Sequence, residues 1–370
     1  MASALHLVFL LGSVIGLLTV EAAPYPAETL REAAAVCPAP CPPGWTQFGS
    51  RCFIFYYQSS TWTDAEKFCI SIGGNLASIH NADENIFVSE LVERVTGSSR
   101  DTWIGGYDAV TENTWLWSDG SSLEFVNWYY NQPDNGHNSR NQHCMEINYA
   151  GQHWNDMPCS TRMPFIFGAF KTVLECLHRP LSPHPHLFHS KFCSNKQGPM
   201  ASALHLVFLL GSVIGLLTVE AAPYPGETPR EAAAVCPARC PSGWTQFGSR
   251  CFIFYYQSRT WSDAEKFCIS IGGNLASIHS IEENNFVSEL VHRVTGGSRD
   301  TWIGGYDAVT ENTWLWSDGS SLEFVNWYQD QPDNGHNSRN QHCMEINYAG
   351  EYWNDMPCST RMPCVCSMNL

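Results

Sequence analysis

Basic residues are scarce: 20 Lys and Arg stand against 36 Asp and Glu, for a formal net charge of −16. A chain this poor in basic patches is a bad match for nucleic acid or an anionic membrane and a better one for cations. Long apolar runs are also missing. Leu7 to Val20 covers only 14 residues, short of the roughly 20 that a spanning helix needs. There is no Asn-x-Ser/Thr acceptor for an N-linked glycan. No Cys-x2-Cys pair sits opposite another, which weakens a zinc reading. No Ser-His-Asp, Cys-His or paired-carboxylate arrangement has supporting context, so catalysis is not expected.

Cysteine, tryptophan and glycine, by contrast, are plentiful. The 370 residues hold 16 Cys, 14 Trp and 28 Gly, with 44% hydrophobic residues. Global disorder is excluded, the length suggests two or three domains, and the cysteine content suggests an oxidising compartment.

The chain repeats itself. The segment that begins at Met1 recurs at Met200, and the offset of 199 holds without a gap through Pro164/Pro363, with 16 mismatches over 164 positions. That period is far too long for a solenoid and reads as a duplicated domain. Residues 1–22 read as a signal peptide, with cleavage after Ala22 or Ala23, and the protein is expected to be secreted. The second signal-like segment, 200–221, lies mid-chain. It reads as a membrane segment, as a processing site, or as the seam between two genes joined in one frame. We favour the last, and an intact mass near half that of the chain would sink the tandem reading. The two domains are placed at 37–164 and 236–370, with an irregular, Pro- and His-rich linker over 165–199. There Phe165-Ile166-Phe167 replaces Cys364-Val365-Cys366.

Local pattern points to an α+β fold. Cys251 to Tyr256 is aromatic and β-prone. Thr260 to Cys268 reads as a helix with Ser262 as N-cap and Glu265 completing a capping box. Glu282 to Val294 reads as a second helix, with Phe286, Leu290, Val291 and Val294 on one face. The remainder is short strands and long polar loops, with Trp314, Trp316 and Trp327 expected in the core.

Two short clusters are rich in the oxygen donors a calcium ion needs. One is Gln132-Pro133-Asp134, repeated as Gln331-Pro332-Asp333. The other is Trp154-Asn155-Asp156, repeated as Trp353-Asn354-Asp355. A proline between two ligands, above all in the cis form, can turn both side chains toward one ion. Each tripeptide alone is a common loop motif. Together with Trp103-Ile104-Gly105-Gly106 and the cysteine pattern, they resemble the C-type lectin domain over about residues 41–164 and 240–366. The nearest likeness is to small secreted fish lectins of galactose type and the related type II antifreeze proteins.

The resemblance implies disulfides Cys41–Cys52, Cys144–Cys159, Cys240–Cys251, Cys268–Cys366 and Cys343–Cys358. It leaves Cys69 without its partner and Cys37, Cys176, Cys193, Cys236 and Cys364 unassigned. Cys236 and Cys364 either pair together or link chains into a homo-oligomer. The first copy is expected to be the less stable.

The resemblance also implies a Ca2+ held by Gln132, Asp134, Asn155 and Asp156, and by Gln331, Asp333, Asn354 and Asp355. The same residues would contact galactose-type glycans on cell or microbial surfaces, with a role in innate defence. Gln142 and Gln341 stand where the family usually has Glu, so calcium binding is expected to be weak, in the roughly 10⁻⁴–10⁻³ M regime. The aromatic that often stacks on galactose is missing, with His336 or Tyr352 as stand-ins. A second calcium site is partly present in Asp307 and Glu311, with Asn334 and His342 in place of acids; both histidines read as solvated loop residues. Glu345 reads as a strand-face residue. The alternative is a sugar-inactive interaction or ice-binding protein on the same fold.

Overall fold

A computed structural model describes residues 41–136, 141–170, 239–335 and 340–370. Both signal-like segments, Cys37, Cys176, Cys193, Cys236 and His336 lie outside the described residues.

The first copy runs β1 (Thr46–Phe48), β2 (Arg51–Ser60), α1 (Trp62–Ser71), β3 (Asn75–Leu76), α2 (Ala82–Thr96), β4 (Thr102–Tyr107), β5 (Leu116–Trp117), β6 (Cys144–Tyr149), β7 (His153–Met157) and β8 (Met163–Phe170). The second copy repeats it as β9 (Thr245–Phe247), β10 (Arg250–Arg259), α3 (Trp261–Ser270), β11 (Asn274–Leu275), α4 (Ile281–Thr295), β12 (Thr301–Tyr306), β13 (Leu315–Trp316), β14 (Cys343–Tyr348), β15 (Tyr352–Met356) and β16 (Met362–Asn369). Each copy is thus α+β, with one mostly antiparallel sheet. In the first, the strand order is β1-β2-β8-β4-β6-β7, with β3 on β8 and β5 on β4. The last strand of this copy, β8, lies mid-sheet, and its one parallel pairing is with β4.

Helix ends follow side-chain chemistry. The N-cap of α3 is Thr260, whose hydroxyl accepts from the Asp263 amide at 3.3 Å. The cap therefore sits two residues before the expected Ser262. Glu265 makes no capping box. It turns inward, and its carboxylate accepts from the Leu275 amide and the Asn274 side chain, both at 2.7 Å. Helix α4 starts after Ser280 and ends at Gly296, whose φ of +77° is the left-handed cap that glycine adopts without strain. On its inner face Val287 joins Leu290 and Val291, while Val294 is exposed.

The core behaves as the composition suggests. Trp117 and Trp154 are buried with Val88, Ile104 and Ile147 in one cluster, and their counterparts repeat it in the second copy. Trp316 is fully buried, and Trp314 and Trp327 pack against the same cluster. Gly106 permits this closeness: a Cβ there would run into Met145.

All five implied disulfides form. Cys69 and Cys364 are free and buried. A fully buried Cys364 is not placed to link chains, which corrects that expectation. On β16, residues two apart share a face, so Cys364 lies on the same face as Cys366 beneath the surface. The first six residues of the expected linker, 165–170, are also not irregular, because they form the body of β8.

Candidate functional site

The site is built where the long loop after β5 returns to β7. The Gln132–Pro133 and Gln331–Pro332 bonds are both cis. The Gln132 side-chain oxygen accepts from the Asp134 amide at 3.0 Å. Asp156, on β7, then gathers the loop. Its Oδ1 accepts from the Asp134 amide at 3.1 Å and its Oδ2 from the Asn135 amide at 2.6 Å. Asp134 Oδ1 in turn accepts from the Gly136 amide at 2.8 Å. Gln331, Asp333 and Asp355 repeat this arrangement.

The adjacent strand residue behaves differently. Asn155 Nδ2 donates to Glu146 Oε1 at 2.8 Å, and Asn354 to Glu345 at 2.9 Å. Neighbours on a strand point to opposite faces, so Asn155 is tied to buried β6 while Asp156 reaches the loop. Glu146 and Glu345 are the strand-face residues expected. Burial, the proximity of Asp101 or Asp300, and that of Asp156 or Asp355 push their carboxyls up to about 7, against the Asn amide bond. Asp156 is also raised, chiefly by burial, with the Asp134 charge adding to it.

Gln142 is anchored by its backbone amide, which donates to Asn135 Oδ1 at 2.8 Å, and its Nε2 lies 3.7 Å from Met157 Sδ. Its Oε1 is buried without a donor, as is Glu146 Oε2; Gln341 and Glu345 show the same. Orphaned acceptors of this kind are costly unless something positive meets them. The carboxylate of Asp156 and the amide oxygen of Gln132, which share the Asp134 amide, form with the Asp134 carboxylate an all-oxygen group at the loop. That group fits a hard cation such as calcium.

A second cluster lies beside the first. Asp108 Oδ1 is 3.0 Å from His143 Nδ1, and Glu112 Oε2 is 3.8 Å from it. Asn135 Nδ2 donates to that Glu112 oxygen at 2.5 Å. Asp307, Glu311 and His342 repeat the trio. His342 is thus not a solvated loop residue, and His143 is held in the same way; His336 lies outside the described residues. The hydrogen bond to Asp108 raises His143's pKa against partial burial, and Asp307 does the same for His342. Imidazole nitrogen is a poor calcium ligand, so a histidine bonded to Asp108 or Asp307 makes this cluster a weaker match for calcium than an all-oxygen one. The family resemblance groups Asp307, Glu311 and His342, and the structure brings them together; the resemblance does not foretell the direct bond between the histidine and an aspartate 35 residues away.

Tyr352 is exposed and packs edge-on against Tyr328 at 5.6 Å, and His153 holds its place beside Tyr129.

The family model for the lectin C-type domain matches residues 58–166 and again 257–368. The chain therefore belongs to the C-type lectin domain family, in two copies. It is 47% identical over 131 residues to galactose-specific lectin nattectin of Thalassophryne nattereri, covering 35% of this chain and 81% of that protein. To ladderlectin of Oncorhynchus mykiss it is 46% identical over 139 residues, 37% of this chain and 72% of that one. To the type-2 ice-structuring protein of Osmerus mordax it is 40% identical over 129 residues, 35% and 70% of the two chains. Each of these aligns with about one copy. The family is one of carbohydrate-binding lectins rather than catalysts. Among the described residues, no helix is long and apolar enough to cross a membrane.

Proposed function

We propose that the chain is a secreted, calcium-dependent lectin of galactose type, with one sugar site per copy and a role in recognising surface glycans in innate defence. The observation that carries this reading is the oxygen-lined loop in each copy. There two carboxylates and an amide oxygen are gathered around the backbone amides that follow a cis proline. When bound, calcium supplies a hard positive centre able to take neighbouring sugar hydroxyls. Asp134 and Asp156 would accept hydrogen bonds from sugar hydroxyls and Gln132 would donate one from its amide, while Asn155 would have to give up its bond to Glu146 to join them. The Gln-before-Asp order is that of the galactose-type motif in the family, and the likeness to a galactose-specific lectin supports it. One weak site per copy makes multivalency the source of useful affinity.

A second reading has its own support. Gln142 and Gln341 are neutral where an acid is expected, and the likeness to an ice-structuring protein fits a sugar-inactive member of the fold. The test is passage of the full chain over immobilised galactose with calcium, then elution with a chelator. Chelator-reversible retention, lost in an Asp156→Asn/Asp355→Asn double variant that keeps its circular dichroism spectrum, supports the lectin. Free passage over both galactose and mannose columns overturns it in favour of protein partners or ice.

A further inference from the structure

The two copies meet through one continuous set of buried side chains, and the contacts are reciprocal. Tyr107 and Tyr306 occupy equivalent positions, 199 residues apart, and their rings stack with centroids 5.0 Å apart and planes 4° from parallel. Both are buried. Trp62 packs on Tyr107 at 5.7 Å and Trp261 on Tyr306 at 5.6 Å. On one side Thr63 hydrogen-bonds Thr310 at 2.7 Å; on the other, Ser262 bonds Thr111 at 2.8 Å. Asn75 Nδ2 donates to the Gly319 carbonyl at 3.1 Å, and Asn274 Nδ2 to that of Gly120 at 2.9 Å. Subtracting 199 turns each contact into its opposite number, so residue i meets j while j meets i, with the tyrosine pair on the axis. That reciprocity is the signature of an isologous two-fold interface.

The face is shaped for this partner. Gly120 and Gly319 have φ of +73° and +75°, and a Cβ on either would lie 2.6 Å from the amide nitrogen of the Asn opposite. Away from the interface, each copy has its own sheet and its own cluster around Trp154 or Trp353. Of the residues named in these contacts, only Thr63 and Ser262 differ between copies, and both carry the hydroxyl that the contact uses. A single unit therefore carries a self-complementary face, and severing the link between copies removes none of its contacts.

We propose that this face is a dimerisation surface whose partner is a second copy of the same unit. The two copies are the halves of a non-covalent homodimer-like pair, held by the face and not by the intervening chain. Units released from one another stay paired, and each paired body presents two loop sites at once.

The test cuts the full chain. A protease site is placed within residues 171–238, in a chain whose Cys37, Cys176, Cys193 and Cys236 are serine so that no bridge among them holds the halves. After complete cleavage at on the order of micromolar concentration, light scattering is expected to return the mass of the uncut chain. With Thr111→Arg and Thr310→Arg, two loop positions on the rim of the face, the cut protein is expected to fall about two-fold in mass while its circular dichroism stays unchanged. Tyr107→Arg/Tyr306→Arg should do the same from the centre. Separation of the unsubstituted halves on cleavage overturns the proposal. Cut arginine variants that keep the full mass with native spectra overturn the assignment of this face. Neither readout involves sugar or calcium.

Discussion

Nearly the same sequence closes its sheet in two different ways. In the second copy, Cys268 on α3 is bridged to Cys366 on β16 across 98 residues. In the first, Phe167 occupies the equivalent strand position and Cys69 is a buried free thiol. The gap is filled by aromatics. Trp45 meets Phe167 edge-on at 4.6 Å, and Phe165, in the place of Cys364, stacks on Tyr56 at 5.1 Å. Gly74 makes room, since a Cβ there would lie 2.6 Å from the Phe167 ring. Arg51 shows the same shift. Arg250 donates to Ser367 Oγ at 2.9 Å, whereas Gly168 replaces that serine and Arg51 instead lies 5.7 Å from the Phe170 ring centroid. A cross-link acts largely on the unfolded chain, while buried rings act on the folded one. The strand survives the exchange because its register is set by backbone pairing with β2 or β10, which is the same in both copies.

The largest expected effect comes from removing the bridge. For a loop of 98 residues, loop-closure entropy gives about 4–5 kcal/mol. Cys366→Ser should therefore speed hydrogen exchange in β16 and α3 far more than in β8 and α1, as read peptide by peptide by mass spectrometry. Equal change in both copies would mean that the shared core, not the bridge, limits opening.

Phe167→Ala should then weaken the first copy by roughly 3–4 kcal/mol, the usual range for emptying a buried phenyl site. Phe167→Cys sharpens the comparison further. It should form a bridge with Cys69, seen as loss of free thiol, and make the exchange of β8 approach that of β16. A persistent free thiol there would show that the two backbones differ more than their register implies.

The pH dependence comes next. Burial pushes the carboxyls of Glu66 and Glu265 up to about 7, against hydrogen bonds from Asn75 and Leu76 in the first copy and from Asn274, Leu275 and Ser317 in the second. A raised carboxyl means that the folded state keeps its proton after the unfolded chain has lost it. Its stabilising contribution is complete below the ordinary value of 4.5 and declines until about pH 7. Each group should lower stability by on the order of 3 kcal/mol across that window. Relative to the parent, Glu66→Gln and Glu265→Gln should flatten urea stability between pH 4.5 and 7. Parallel curves for parent and variant would mean that both carboxyls stay ionised.

The smallest difference is expected between the loop sites. Asp156→Asn and Asp355→Asn should each remove about half of the galactose retained by the full chain, since the described contacts of the two loops match. Tyr352→His, which converts one rim to the other, should change retention less than two-fold. A larger change would make Tyr352 the missing sugar platform.

Much of this was readable from the chain. The repeat, the α+β class and the tryptophan core rest on local order or on spacing, while the disulfide pairs and the Gln-Pro-Asp site rest on the resemblance to the family. Local rules erred where tertiary contacts competed. Ser262 looks like a helix cap, yet it is buried against the other copy. Glu265 looks like its capping partner, yet it serves β11. Residues 165–170 look like linker because their cysteines are gone, yet a strand lying mid-sheet is specified by its neighbours. The direct bond between His143 and Asp108, 35 residues apart, left no local trace.

By itself, then, the sequence determined the inventory and the two-fold repetition of the chain, because periodicity, turn residues and cysteine spacing act over short stretches. Only the tertiary structure decided which buried groups found partners, how aromatics replaced a bridge, and that the copies face each other around stacked tyrosines. Those outcomes depend on desolvation and close packing between residues far apart in the chain, and no local pattern encodes them.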